Sequence, residues 1–266
     1  MADDEDYRDF LPFAEQLADS ARAETLPRLE GGGVAADKNE GGAFDPVTEA
    51  DRAAERAMRA LIVARFPDHG ISGEEYGETP AAAQGQWSWS LDPIDGTRAF
   101  ICGMPGWTVL IALLRDGEPV LGVIDAPRLD ERYVGFGARA EMVSKGARSP
   151  LQVSGCERLA EARLSTTDPF LFADGEAEGF GRVRRAARLT RYGFDAYAYA
   201  RLAAGWIDLV VESGLKPHDY NALAPVVRAA GGVIGSWEGD GGLAGGRIVA
   251  AASQPLFDEA VRLLRG

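Results

Sequence analysis

One segment, residues 87–98, limits what this 266-residue chain can fold into more than any other part. Residues 87–91 carry an aromatic and aliphatic run that is typical of a strand, and Asp92 and Asp95 follow on a Pro-stiffened turn. Two carboxylates at the end of one strand repel each other unless a cation lies between them. Magnesium takes oxygen ligands of this kind, so the segment predicts a metal site at a sheet edge.

The composition excludes several classes of protein. Hydrophobic residues make up 46% of the chain and charged residues 26%, which is typical of a soluble globular protein with a sizeable core. The 28 basic and 41 acidic residues give a formal charge of −13, which disfavours nucleic-acid partners. No apolar run is long enough to span a bilayer, so no membrane partner is expected.

The cysteine content and the N-terminal residues predict a cytoplasmic location. Residues 1–6 are acidic and lack the basic and apolar regions of a secretory signal. Only Cys102 and Cys156 occur, without the spacing of a metal site, and both are expected to be small buried side chains.

The first half of the chain predicts two helices packed on an antiparallel meander. The helices are expected over residues 7–29 and 48–66, separated by a Gly-rich and polar segment, 31–43, that predicts a mobile loop. Asp116 and Gly117 predict a hairpin turn. The expected strands are 71–74, 87–92, 107–115, 119–125, 131–136 and 140–143.

The second half predicts a smaller sheet covered by helices. We expect one domain over residues 1–266, with lobes of about 1–147 and 148–266 and a seam near 145–150. Pro225 should kink or shorten the helix that contains it. The expected strands are 162–166, 188–191, 207–211 and 247–252, and the expected helices are 195–204, 219–230 and 255–265.

Four short motifs resemble those of the inositol monophosphatase superfamily, the lithium-sensitive and Mg²⁺-dependent phosphatases. Residues 45–51 read Asp-Pro-Val-Thr-Glu-Ala-Asp, 73–75 read Gly-Glu-Glu, 92–97 read Asp-Pro-Ile-Asp-Gly-Thr, and 216–219 read Lys-Pro-His-Asp, with Ala-Ala-Gly-Gly at 229–232. They stand in the family's order over about two thirds of the chain, which makes the match specific. The resemblance implies an α/β (α+β) fold, the layered α/β/α/β/α sandwich of the inositol monophosphatase and fructose-bisphosphatase type. It also implies a homodimer and lithium sensitivity.

The resemblance also implies a set of metal ligands for two or three Mg²⁺ ions per site. Glu74, Asp92 and the backbone carbonyl of Ile94 would hold the activating ion. Asp92, Asp95 and Asp219 would hold the second ion. Each carboxylate also has a simpler interpretation: Asp92 and Asp95 as turn formers, Glu74 as a surface charge, and Asp219 as a complement to a helix dipole.

Asp51 and Thr97 are the implied catalytic pair, together with Glu74. In the family the equivalent Asp accepts a hydrogen bond from the motif's Thr, and the pair orients and deprotonates a metal-activated water. An alternative is that Asp51 caps a helix in a box with Thr48. Thr97 in the matching place favours the catalytic role.

The resemblance implies that the backbone N–H groups of Gly96 and Thr97 bind the substrate's phosphate, with added charge from Arg98. Attack by water is expected to be direct, because no Ser or Cys lies in a nucleophile motif such as Gly-x-Ser-x-Gly.

Arg98 follows the motif at residues 92–97. An arginine at this position resembles the histidinol-phosphatase branch of the superfamily, and so do the sequences of residues 193–197 and 214–217. Histidinol phosphate carries an ammonium and an imidazole, so its pocket should offer carboxylates. Asp195 and Glu212 occupy positions that line the substrate pocket in relatives.

Other residues near these positions leave the shape of the pocket open. Asp195 has the alternative of a helix N-cap. Arg191 is a candidate substrate contact but equally suits a subunit interface or a free surface. Phe194 departs from the small residue common in the branch. For His218 we expect a substrate or surface role, because Mg²⁺ prefers oxygen.

The sequence therefore predicts a phosphate monoester hydrolase acting on a small molecule, with histidinol phosphate of histidine biosynthesis as the first candidate substrate. An inositol-1-phosphate or broad sugar-phosphate phosphatase is the alternative. A bisphosphate nucleotidase should show a basic pocket, which the sequence does not indicate. A non-catalytic metal- or phosphate-binding regulator ranks last, because all six expected catalytic residues are present: Asp51, Glu74, Asp92, Asp95, Thr97 and Asp219.

Overall fold

The computed structural model describes residues 9–30, 35–37, 46–82 and 86–266. Most of the Gly-rich segment 31–43, and with it the predicted mobile loop, lies outside these ranges. The helices are α1 Phe10–Glu30, α2 Glu49–Arg65, α3 Thr97–Ile101, α4 Asp174–Ala186, α5 Tyr197–Ala203, α6 Pro217–Tyr220, α7 Leu223–Ala229 and α8 Gln254–Arg265. None of these described helices has both the length and the apolar character needed to cross a membrane.

The strands form two large sheets and one small hairpin-like pair. Strands β1 Ala35–Asp37 and β2 Pro46–Thr48 pair with each other. The strands of the first large sheet are β3 Gly70–Gly73, β4 Gly77–Thr79, β5 Trp87–Asp95, β6 Thr108–Arg115, β7 Glu118–Ala126, β8 Glu131–Phe136, β9 Arg139–Ser144 and β10 Ala147–Pro150. Those of the second are β11 Arg163–Thr166, β12 Leu189–Tyr192, β13 Leu209–Glu212, β14 Val233–Ser236 and β15 Ile248–Ala251.

The first sheet is the predicted meander with two strands that were not predicted, β4 and β10, one at each edge. Its eight strands have the order β10-β9-β8-β7-β6-β5-β3-β4. All neighbours are antiparallel except β3 and β5, which run parallel. Because β3 and β5 run in the same direction, their C-terminal ends lie side by side. The turn after Gly73 is therefore next to the end of β5.

The second sheet is mixed, with the order β12-β11-β13-β15-β14. Strand β11 runs parallel to β12 and β13, and β15 runs antiparallel to its neighbours. It is the smaller helix-covered sheet that the sequence predicts.

Among the described residues, three hydrophobic cores hold five layers together, and the middle core contacts both sheets. Helices α1 and α2 pack on one face of the first sheet, around Trp89 and Met58. Helices α5 and α7 lie between the two sheets, where Tyr199 and Val226 are buried. Helices α4 and α8 cover the outer face of the second sheet, around Phe257. The layered α/β/α/β/α fold that the resemblance implied is therefore confirmed.

The structure corrects three details of the sequence prediction. The single helix expected over 219–230 is two helices, α6 and α7, because Pro225 has no N–H to bond the carbonyl one turn earlier. Helix α4 and strand β14 were not predicted. The expected seam near 145–150 contains a hairpin instead, since β10 pairs with β9 and the chain leaves the first sheet only after Pro150.

Candidate active site

Three carboxylates converge where β5 ends. Asp92, Asp95 and Asp219, which we call the acidic cluster, each place one oxygen within 4.8 Å of the others. The first two belong to β5, whose pairing with β6 is interrupted between them, and the third comes from the short helix α6. The Ile94 N–H donates to Asp92 Oδ1 at 3.1 Å, which fixes the turn that presents both aspartates. The structure thus brings together the three ligands expected for the second metal.

The acidic cluster is electrostatically unfavourable without a cation. Burial raises the pKa of Asp92 well above its ordinary value, and the nearby carboxylates of Glu74 and Asp95 raise it further. Burial likewise raises the pKa of Asp95, and Asp195 adds to the effect. Asp219 follows the same pattern, with burial as the main cause. A bound divalent cation would remove this penalty.

The donor atoms of the acidic cluster suit a hard cation. Asp95 Oδ2 accepts hydrogen bonds from the Ala196 N–H at 2.8 Å and from Thr108 Oγ1 at 3.1 Å. Both of these bonds fall on Oδ2, and neither involves Oδ1. Asp219 Oδ2 accepts from the Lys216 N–H at 2.7 Å, so the capping role considered for Asp219 is also present. The oxygen atoms that remain match the ligands Mg²⁺ prefers.

Glu74 reaches the same site from the turn after β3. Its N–H donates to the Leu91 carbonyl at 3.2 Å, and its side chain lines the cavity beside the acidic cluster. The adjacent Glu75 points elsewhere, with Oε2 3.8 Å from Arg52 Nε. Of the two adjacent glutamates, Glu74 is therefore the one that faces the cavity.

The expected hydrogen bond between Thr97 and Asp51 is not found among the described residues. Thr97 Oγ1 donates to the Ile94 carbonyl at 3.1 Å. Asp51 Oδ2 instead accepts from the N–H and hydroxyl of Thr48, at 2.8 and 2.5 Å, because the two residues form the capping box of α2. Asp51 Oδ1 remains buried and has no hydrogen-bond partner in the described ranges.

A cavity of about 280 Å³ opens beside the acidic cluster. Its lining includes most of the side chains that the sequence singled out: Glu74, Asp95, Gly96, Thr97, Arg98, Asp195, Glu212, His218 and Asp219. Members of the expected metal, phosphate and substrate groups therefore share one space, although Asp92, Ile94 and Arg191 are not part of its lining.

Asp195 and Glu212 form one wall of this cavity, which we call the carboxylate wall. Glu212 Oε1 accepts from the N–H and hydroxyl of Thr167, at 2.7 and 3.0 Å, and Oε2 accepts from Thr166 Oγ1 at 3.2 Å. Burial raises the pKa of Glu212 to about 8. Burial also raises the pKa of Asp195 to about 6, although the charge of Arg98 opposes that shift.

Gly96 lies against the carboxylate wall, at φ +82°, a backbone conformation that favours glycine. A Cβ atom at Gly96 would lie 3.0 Å from Asp195 Oδ2, so a side chain there would press against the wall. Asp195 is not the N-cap of α5, which is Ala196, and itself has φ +44°. The N-cap alternative for Asp195 is therefore wrong.

Sequence analysis missed several side chains that line this site, among them Tyr199 and Thr167. Tyr199 lines the cavity with a buried hydroxyl that has no partner among the described residues. Burial and the charges of Glu212 and Asp95 raise the pKa of Tyr199 well above its ordinary value. No local pattern singled out Tyr199, because Asp195, four residues earlier, lies before α5 at a positive φ. Thr167 was missed because its partner Glu212 is 45 residues away in the chain.

Arg191 does not join the site. It is exposed on β12, and its guanidinium carbon lies 5.9 Å from the centre of the Phe194 ring. Arg191 is not part of the cavity lining, so the structure gives no support to a substrate contact. His218 does line the cavity, with Nε2 3.5 Å from Asp219 Oδ1.

Comparison with known proteins agrees with this site. The model of the inositol monophosphatase family matches residues 6–265. A histidinol-phosphatase of Mycobacterium tuberculosis is 37% identical over 260 residues, which cover 96% of this chain and 98% of that protein. The chloroplastic bifunctional phosphatase IMPL2 of Arabidopsis thaliana is 45% identical over 196 residues. That match covers 74% of this chain but only 56% of the plant protein.

A solved structure extends the likeness to the whole fold. An inositol monophosphatase from Zymomonas mobilis superposes with a TM-score of 0.83 at 37% identity, over 98% of this chain and 99% of that one. The chain therefore belongs to the inositol monophosphatase family and is a phosphatase, a hydrolase of phosphate esters.

Proposed function

We propose that this member of the inositol monophosphatase family is an Mg²⁺-dependent phosphate monoester hydrolase whose substrate is cationic, with histidinol phosphate as the first candidate. One observation carries the proposal: a single cavity joins the acidic cluster to the carboxylate wall. The first suits a metal and a phosphate. The second suits an ammonium or imidazolium on the leaving group.

The carboxylate wall supports a cationic substrate because its buried acid has no built-in counter-charge in the part of the chain that the structure describes. Glu212 is 5% exposed and is bonded only to hydroxyl and backbone donors in the described residues, not to a cationic side chain. A buried carboxylate without a counter-charge is stabilised when a cation binds beside it. A neutral polyol such as inositol would offer hydroxyl groups but no charge.

The metal site assigns roles to the residues around it. Asp92, Asp95 and Asp219 would hold Mg²⁺, with Glu74 and the Ile94 carbonyl as further predicted ligands. When bound, Mg²⁺ would neutralise phosphate charge and lower the pKa of a nearby water.

The remaining residues would position and move protons. Asp51 Oδ1 is a buried acceptor without a described partner, so it can hold the proton that the attacking water loses. Thr97 Oγ1 uses its proton on the Ile94 carbonyl and can accept a hydrogen bond from the water. Gly96, Thr97 and Arg98 are proposed to bind phosphate oxygens, since all three line the cavity. Asp219 is proposed to return a proton, through a water, to the leaving oxygen.

An inositol-1-phosphate phosphatase is the second candidate. The solved inositol monophosphatase from Zymomonas mobilis is as similar to this chain as the mycobacterial histidinol-phosphatase, at 37% identity. The same metal site would serve it, and the carboxylate wall and Arg98 argue against it. A homodimer, a cytoplasmic location and lithium sensitivity remain predictions from the sequence.

The test is the hydrolysis of L-histidinol phosphate beside inositol-1-phosphate with Mg²⁺, compared as kcat/KM. We expect a preference for histidinol phosphate of about a hundredfold, or roughly 2.7 kcal/mol of transition-state discrimination. Glu212→Gln should reduce that preference and leave inositol-1-phosphate hydrolysis little changed. The reverse preference would contradict the cationic substrate, and no release from either ester would contradict a phosphatase acting on small esters of this kind.

A further inference from the structure

The turn that carries Glu74 is held by a buried carboxylate on the neighbouring helix α2. Glu55 is fully buried, with 0% exposure. Its Oε2 accepts from the Glu75 N–H at 2.7 Å, and its Oε1 accepts from the Tyr76 N–H at 3.2 Å. One side chain therefore receives the two backbone N–H groups that directly follow Glu74.

Arg59 completes this attachment. Its Nε donates to Glu55 Oε1 at 2.7 Å, four residues along the same helix. Its Nη atoms donate to the Gly77 carbonyl and, at 3.2 Å, to Thr79 Oγ1. The Glu55–Arg59 pair thus binds both N–H and C=O groups of the turn, which a hydrophobic contact would not do.

Gly73 shows how closely the turn approaches this pair. A Cβ atom built at Gly73 would overlap the Glu55 carboxylate and lie 2.9 Å from Arg59 Nη2. The glycine of the Gly-Glu-Glu motif is therefore required by the buried carboxylate beside it. Asp51 lies four residues before Glu55 on α2, so one face of this helix serves the predicted base and the predicted ligand.

We propose that Glu55 is a positioning residue for the metal site, which sets the affinity for Mg²⁺ by fixing the backbone of Glu74. The inference rests on the proposed metal-dependent function. Partners that orient a metal ligand typically contribute about 10- to 100-fold in metal affinity. Glu55 touches neither substrate nor metal in this proposal.

The experiment measures how the melting temperature of the full chain rises with Mg²⁺, in the wild type and in Glu55→Gln. Gln keeps the size of the side chain but offers one acceptor oxygen instead of two. We expect the Mg²⁺ concentration for a half-maximal shift to rise by about tenfold or more. At saturating Mg²⁺, kcat should approach that of the wild type. Gly73→Ala, which displaces the Glu55 carboxylate without removing its charge, should have the same effect.

Glu24→Gln is the matched control. Glu24 also pairs with an Arg four residues along its helix, Arg28, at 2.6 Å, but on α1 and away from the turn. Its Mg²⁺ response should equal that of the wild type. If Glu55→Gln and Gly73→Ala lower the melting temperature without Mg²⁺ but keep the wild-type Mg²⁺ response, Glu55 is only structural and the inference is wrong. A wild type without any Mg²⁺ response would instead overturn the proposed function, and this inference with it.

Discussion

Two regions of the molecule bury carboxylates: in one the carboxylate is paired with arginines, and in the other the carboxylates lie beside one another. Asp125 is fully buried under α1, where Arg22 Nε and Arg132 Nε each donate to it at 2.7 Å. We call these three residues the ion network. Asp92 and Asp95 in the acidic cluster have no such arginine among their described hydrogen bonds, and their pKa values are raised by burial.

The presence or absence of a built-in counter-charge distinguishes a structural carboxylate from a candidate binding site. The ion network carries its own counter-charge, so its carboxylate is satisfied whenever the chain is folded. The basic groups that line the acidic cavity are the exposed Arg98 and Lys216 and the half-buried His218, which do not offset the burial of the cluster. A buried acidic group whose counter-charge is not built into the fold is a candidate site for a bound cation.

The largest expected effect comes from the acidic cluster. Asp92→Asn should lower kcat/KM by about a thousandfold, because a ligand of the phosphate-polarising cation is lost. Its stability without Mg²⁺ should not fall, since one member of a repelling group becomes neutral. Steady-state kinetics measure the change in kcat/KM, and urea unfolding in the presence of a chelator measures the stability without Mg²⁺. Near-wild-type activity in this variant would contradict the metal assignment.

The ion network should respond in the opposite sense. Asp125→Asn leaves Arg22 and Arg132 without their shared carboxylate, so the free energy of unfolding should fall by about 3 kcal/mol. The kcat of the folded protein should be unchanged. Urea unfolding and kinetics at a temperature well below the transition test this, and a large loss of kcat with intact stability would break the comparison.

The carboxylate wall predicts how stability depends on pH. Glu212 has a folded pKa of about 8 against an ordinary 4.5, so between these values the native state holds a proton that the unfolded chain has released. The free energy of unfolding without Mg²⁺ should therefore decline as pH rises from 5 to 8, by roughly 1 kcal/mol for each unit. Glu212→Gln should flatten this decline. A stability that increases over this range would show that a counter-charge is present after all.

The smallest effect concerns two tyrosine hydroxyls. Tyr199→Phe removes a hydroxyl without a described partner, so stability should stay constant or rise by up to about 1 kcal/mol. Tyr133→Phe is the control, because its hydroxyl donates to Glu131 at 2.6 Å and accepts from Arg201 at 3.1 Å. That variant should lose about 1 kcal/mol. Equal losses in both would mean that Tyr199 has a partner in the free protein.

The fold was largely predictable because its signals are local. Strand β8 was predicted with its observed bounds, and β6 and β7 to within one residue at each end. Helix α4 was not, because it contains three glycines, at 175, 179 and 181, which lower helix propensity. The break between α6 and α7 depends on Pro225. The sequence predicted that this proline would kink or shorten the helix, but not where the helix would break.

The candidate site was predictable only where a motif carries it. The acidic cluster follows from Asp92, Asp95 and Asp219, all within motifs of the family. The attachment of Glu74 through Glu55 joins residues about 20 positions apart, and the Thr167–Glu212 contact joins residues 45 apart. Tertiary packing creates these contacts, so no local sequence pattern predicts them.

The most direct test of a cation site without a built-in counter-charge is calorimetric titration of the metal-free protein with Mg²⁺ at pH 7, in two buffers of different ionisation enthalpy. We predict saturable binding with proton release to the buffer, because a bound cation displaces the protons that groups with raised pKa values hold. Asp92→Asn should bind at least about tenfold more weakly. Absence of binding, or equal binding in that variant, would contradict the account.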